Sequence, residues 1–174
     1  MKKSNKKLVK IELLHELLKD SSRSDRELSK VIGVSQPTVS KMKKTLLDQG
    51  VIQGFTMIPN FSEMGYTILA LTLVKMKPLF SSEEYKNGHE KSKKWVNEES
   101  NIIFADYCRG MDMDALMISF HKSYQYFDKF IKRHNQKFGY LLHDVQNILI
   151  NLVGDDCLKP FHFKYLAENL KEKS

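Results

Sequence analysis

Leu8, Ile11, Leu14, Leu17 and Leu18 recur at the three- and four-residue spacing that lines one helix face, so the chain opens with an amphipathic helix over residues about 6–19. The polar run Asp20-Ser21-Ser22-Arg23 breaks it. Ser24 then stands three residues before Glu27, the reciprocal arrangement in which each side chain satisfies the other's backbone N–H. Leu28, Val31 and Ile32 give this second helix one apolar face, and Gly33 follows where a left-handed backbone is cheap. Ser35 is placed to cap a third helix, and Pro37 is tolerated in its first turn because no N–H is needed there. Val39, Met42 and Leu46 supply its buried stripe, and Gly50 ends it. Beyond it, Val51 to Met57 reads as a short extended segment, a reduced wing, and Pro59, Asn60 and Gly65 punctuate a connection.

The period then changes. Thr67 to Met76 is an almost continuous strand-forming run ended by Pro78. Residues about 81–99 are polar and rich in Lys and Glu, with Tyr85, Trp95 and Val96 as packing points, and predict a helix weakened at Gly88. Ile102 to Cys108 is a second strand, Gly110 to Met113 a turn and Ala115 to Phe120 a third strand. Tyr124, Phe127, Ile131, His134 and Phe138 mark a helix face closed by Gly139, and a fourth strand lies within Val145 to Val153. The order β-α-β-β-α-β is the ferredoxin-like plan, in which two helices cover one sheet face. The other face is left to pair with a second subunit or a ligand, so an oligomer is expected. Phe161, Phe163, Leu166 and Leu170 mark a helical tail over 158–172 outside that plan.

The expected fold class is therefore α+β: an N-terminal winged helix-turn-helix over 1–58, a linker over 59–66, a ferredoxin-like βαββαβ domain over 67–154 and a C-terminal helical extension over 155–174. Charge sharpens the division. Residues 1–60 hold 12 Lys and Arg against 6 Asp and Glu, whereas residues 61–174 hold 16 against 15. Almost the whole formal excess of +7 sits in the first third, as expected of an anionic-polymer-binding head on a near-neutral body. The plainer reading of the same charge is a solvated basic surface.

Two short helices joined through Gly33 form a helix-turn-helix pattern, whose second helix enters the major groove by its N-terminus. Its outward face carries Gln36, Thr38, Ser40, Lys41, Lys44 and Thr45. Gln and Ser or Thr donate to and accept from base edges, and Lys reaches guanine or phosphate. The candidate DNA-binding set is Gln36, Pro37, Thr38, Ser40, Lys41, Lys43 and Lys44, with Ser24 and Arg26 from the preceding helix. Lys2, Lys3, Lys6, Lys7 and Arg23 are further phosphate contacts in this reading. A dimer would set two third helices about 34 Å apart on an imperfect palindrome.

The runs Arg23-Ser24-Asp25-Arg26-Glu27-Leu28-Ser29, Ile32-Gly33-Val34-Ser35 and Gly50-Val51-Ile52-Gln53-Gly54-Phe55 resemble the Lrp/AsnC family of feast/famine regulators. The resemblance runs from about residue 8 to 153, carried by motifs in the first domain and by element order in the second. It implies a transcriptional regulator that binds double-stranded DNA as a homodimer or larger homo-oligomer, with the second domain for dimerisation and for sensing an effector such as an amino acid. Lys41 falls where the family usually has arginine. The family's Gly-x-aromatic-Asp turn corresponds to Gly110-Met111-Asp112-Met113-Asp114, with Met in the aromatic position. Gly110, Asp112 and Asp114 are the effector-binding candidates.

Other chemistry is sparse. No catalytic set, cofactor motif or metal spacing is visible. Asp112 and Asp114 read more simply as a solvated hairpin turn. His15, between Glu12 and Glu16, reads as a surface residue, and His134 as a packing histidine. His121 and His143 bracket the second helix of the second module. They keep open an alternative, a sirohaem decarboxylase-like enzyme on the same architecture, and a protein-binding helix-turn-helix module is a third reading. No run of 18 apolar residues is present and the basic start is not a signal peptide, so no membrane partner is expected. Cys108 and Cys157 show no disulfide framework, which makes a reduced, cytoplasmic protein the expectation.

Overall fold

The structure is a computed structural model describing residues 2–78, 81–154 and 157–170. It resolves into two compact units. The first is built from the first 58 residues together with the segment from residue 159 onward, the second from residues 59–158.

In the first unit, α1 (Lys2–Lys19), α2 (Asp25–Ile32) and α3 (Gln36–Asp48) gather around Leu13, Leu17, Leu28, Val39 and Leu46. The predicted caps form. Glu27 N–H donates to Ser24 Oγ at 3.2 Å and Ser24 N–H donates to Glu27 Oε2 at 2.8 Å. Gly33 adopts φ 75°, the left-handed turn that lets α3 start afresh from the Ser35 cap. The expected wing is reduced further than the sequence suggests. The N–H groups of Val51 and Ile52 donate to Leu46 O, closing the end of α3, and no strand is assigned over 51–57.

The tail packs with this unit. Its described part forms two short 3-10 turns, Phe163–Leu166 and Glu168–Leu170, where the sequence predicts one helix. Residues 155–156 and 171–174 of the expected extension lie outside the described residues. Ala167 is fully buried, whereas Phe161, Phe163 and Leu166 stay exposed.

The second unit has the ferredoxin-like order, with β1 (Ile68–Met76), α4 (Ser82–Glu98), β2 (Ile102–Gly110), β3 (Met113–His121), α5 (Tyr124–Phe138) and β4 (Leu142–Asn151). The strands lie β2-β3-β1-β4, all neighbours antiparallel. Ala70, Thr72 and Val74 of β1 point under the helices, where Trp95, Met117, Phe127, Phe130 and Phe138 complete the core. Because strand side chains alternate, the opposite face carries Leu69, Leu71 and Leu73 with their partners Phe120, Ile118 and Leu116 on β3. Ile148 and Ile150 of β4 extend that face and are 48% and 43% exposed. Residues expected to be linker pack on the second unit: Phe61 stacks on Phe120 at 4.2 Å between ring centroids, and Tyr66 meets the same ring edge-on.

Candidate nucleic-acid interface

The helix-turn-helix sorts its polar residues into two groups. Val39, Met42 and Leu46 turn α3 into the core, so Pro37, Lys41 and Lys44 at the complementary spacing face directly away. All three are exposed, and the ammonium groups of Lys41 and Lys44 form no ion pair among the described residues. Gln36 is exposed at the first helical position. Thr38 is exposed with its hydroxyl 2.8 Å from that of Ser35, inside the cap. Arg26 is exposed on α2, and Ser24 is exposed but committed to its capping box.

Ser40 and Lys43 belong to the other group. Asp25, the first residue of α2, accepts a hydrogen bond from Ser40 Oγ and holds Lys43 Nζ at 2.9 Å. Lys43 also lies 5.3 Å from the centre of the Phe55 ring. The Ser40 hydroxyl first, and the Lys43 ammonium second, hold the Asp25 carboxyl below its usual range. This acid fixes the angle between α2 and α3. Sequence reading missed it, because an acid in the first turn of a helix also answers the helix dipole and so carries no distinguishing signal. Arg23 is similarly committed, to Glu16 and, at 3.8 Å, Asp20. Lys7 is exposed, and the side chains of Lys2, Lys3 and Lys6 lie outside the described residues.

His15 corrects its expectation. It is 1% exposed, with Nδ1 3.0 Å from Glu16 Oε1 and Nε2 3.4 Å from Glu168 Oε1. The tail covers a helix face that sequence periodicity leaves in solvent.

In the second unit, Met111 and Asp112 form a two-residue hairpin turn with φ 53° and 59°, flanked by Gly110 at φ 141°. Lys75 Nζ lies 2.7 Å from Asp112 and 3.6 Å from Asp114, and Asp114 also accepts the Met76 N–H at 2.8 Å. The hydrogen bond from Lys75 holds the Asp112 carboxyl below the ordinary range. The acids thus clasp one lysine at the end of β1. His121 and His143 are not brought together. His121 pairs with Ile68 at the start of β1, whereas His143 follows Leu142, the partner of Met76 at its end. His121 is buried, its ring nitrogen 2.8 Å from Ser119 Oγ, and burial pushes its pKa down to about 4. His134 packs among Trp95 and Phe138, as expected.

The family described as winged helix-turn-helix DNA-binding matches residues 8–53. The HTH-type transcriptional regulator FL11 of Pyrococcus furiosus is 38% identical over 73 residues, which are 42% of this chain and 45% of that protein. The matched segment thus spans less than half of this curated relative. In fold the likeness extends much further. The AsnC family transcriptional regulator of Agrobacterium tumefaciens superposes with TM-score 0.70 at 18% identity, covering 91% of this chain and 97% of that one. A transcriptional regulator of Neisseria meningitidis, solved as an L-Met complex, gives 0.71 at 16% identity, covering 86% and 90%.

Fold and site together define a winged helix-turn-helix protein carrying a ferredoxin-like second domain. The resemblance to Lrp/AsnC regulators is borne out, by sequence in the first domain and by fold across both.

Proposed function

We propose that the protein is a sequence-specific DNA-binding transcriptional regulator acting as a homodimer. The observation that carries this is the outward face of α3, where Lys41 and Lys44 are exposed and form no ion pair among the described residues, with Gln36 exposed at the end that would enter the groove. Gln36 and Thr38 suit base edges, and Lys41, Lys44 and Arg26 suit guanine or phosphate. Ser40 and Lys43 serve the geometry of the motif first, through Asp25. The free thiols of Cys108 and Cys157 fit a reducing compartment such as the cytoplasm.

The open sheet face supports the dimer. Leu69, Leu71, Leu73, Ile118 and Ile148 form a continuous apolar surface of the kind that a monomer seldom leaves in water. An amino-acid effector draws support from the L-Met bound by the N. meningitidis neighbour. In this chain the Gly110–Asp114 turn is its candidate contact, with Asp112 and Asp114 offering carboxylates to an ammonium group that displaces Lys75.

The test is binding to duplexes from the protein's own upstream region, against scrambled duplex, over a salt series. A slope near −0.9 per phosphate contacted, with a preference for the native duplex lost in Lys41→Ala/Lys44→Ala, is expected. Weak, sequence-blind binding unchanged in that variant would overturn the reading and point to a protein partner for the motif.

A further inference from the structure

Between α4 and the β2-β3-β1 part of the sheet the described residues leave a cleft of about 620 Å³, open to solvent along the edge strand β2, where Ile103 and Tyr107 are exposed. Its origin is legible in three places along the helix. Gly88 is buried so closely that an added Cβ would stand 3.0 Å from Leu141 Cδ1. Trp95, seven residues on, is buried with its ring 5.5 Å from those of both Phe130 and Phe138. Between these two contacts the inward position falls to Ser92, whose side chain ends at a hydroxyl. Ala105 and Ala115 of the sheet line the same space with single methyl groups. Clefts that take small ligands run from roughly 300 to 1,000 Å³, and this volume falls within that range.

The walls say what fits. Trp95, His134 and Phe138 give aromatic surface, and Met117, Leu141 and Leu142 give aliphatic surface. Of the charged residues that line it, Glu99 is engaged by Arg133 at 2.9 Å, and Lys93 and Asp106 are exposed. His134 is buried, and that burial favours the neutral ring. Burying an ionised group against such walls is costly. At one side His89 of α4 and Tyr107 of β2 meet, Nδ1 to Oη, at 2.5 Å, bringing polar atoms to the margin.

We propose that this cleft is a binding site for a neutral, planar aromatic small molecule, its ring system against Trp95 and Phe138 and any polar substituent toward His89 and Tyr107. The site lies within one protomer and is distinct from the Gly110–Asp114 turn. It stands whether or not the protein reads DNA.

Trp95 is the only tryptophan in the chain, so a ¹H–¹⁵N spectrum contains one indole N–H signal, and it reports on the cleft wall. Unlabelled indole is the probe. L-tryptophan, the same ring system with a zwitterionic tail, is the comparison. The expected result is a saturable shift of the Trp95 signal with indole and affinity for L-tryptophan at least about tenfold weaker. Ser92→Leu and Ala105→Val, each adding bulk inside the cleft, should weaken indole binding several-fold without lowering the melting temperature. If one variant fails to fold, the other decides. A Trp95 signal that does not move with indole, indole binding as tight as wild type in a folded variant, or equal affinity for L-tryptophan would overturn the proposal.

Discussion

Asp25 on α2 holds Lys43 on α3 at 2.9 Å while also accepting the Ser40 hydroxyl, so one carboxylate locks the two helices of the helix-turn-helix. Replacing it with Ala should cost about 1 kcal/mol, the usual scale of a hydrogen-bonded pair that is not deeply buried. The pH dependence has a definite sign. The folded pKa is depressed below the unfolded value of about 3.9. The contribution is therefore complete above that value and lost as pH falls through the folded pKa. Urea denaturation of wild type and Asp25→Ala should converge as pH is lowered toward 2.

Lys41 and Lys43 are two residues apart and should behave differently. Lys41→Ala should reduce the salt slope of DNA binding by about 1 and leave stability within about 0.5 kcal/mol of wild type. Lys43→Ala should lower stability by more, because it breaks the Asp25 pair and leaves the Phe55 ring uncovered. Salt-dependent anisotropy and chemical denaturation on the same three proteins separate the effects.

His121 sets a second pH response. Its pKa of about 4, pushed down by burial, lies below the unfolded value of about 6.5. The unfolded chain therefore binds the proton more readily, and stability should decline as pH falls from 6.5 to 4. The loss is on the order of 2 kcal/mol. His121→Phe should flatten that stretch of the stability profile, and equal slopes in the two proteins would contradict it.

Met111 occupies the left-handed region at φ 53°, in a turn whose two central positions favour Asn, Asp or Gly. A non-glycine residue there costs about 1 kcal/mol, and Asn tolerates the conformation better. Met111→Asn should raise the unfolding free energy by about 0.5–1 kcal/mol, measured in urea, with β2–β3 pairing unchanged.

The open sheet face is tested by charge. Ile148 stands in its midst, paired with Leu71. Wild type should run as a dimer in light scattering at micromolar concentration, and Ile148→Glu should run as a monomer with unchanged circular dichroism. A wild-type monomer would remove the basis for two reading helices one turn apart.

Much of this architecture is local and therefore readable. Ser24 with Glu27, Gly33 and Ser35 act within a few residues of themselves, and the strand-forming run of β1 reports a strand whatever its neighbours are. What escapes is long-range. Asp25 gains its role from residues 15 and 18 positions away. His15 is buried only because Glu168 and its neighbours come back across α1, a contact over 153 residues that no periodicity encodes. Lys75 silences the acids of the hairpin turn through a pairing 37 residues long. The cleft beneath α4 is harder still, since it arises from side chains that are small together on elements far apart in the chain.

The return of the tail to the first unit has a consequence for how the protein is made. The three helices of the head leave the ribosome before the second unit, but the segment that covers His15 follows it. The whole βαββαβ module is in effect a hundred-residue insertion within the head. During synthesis the head must hold together with one face of α1 bare, and it gains its cover only after the whole second unit has been made.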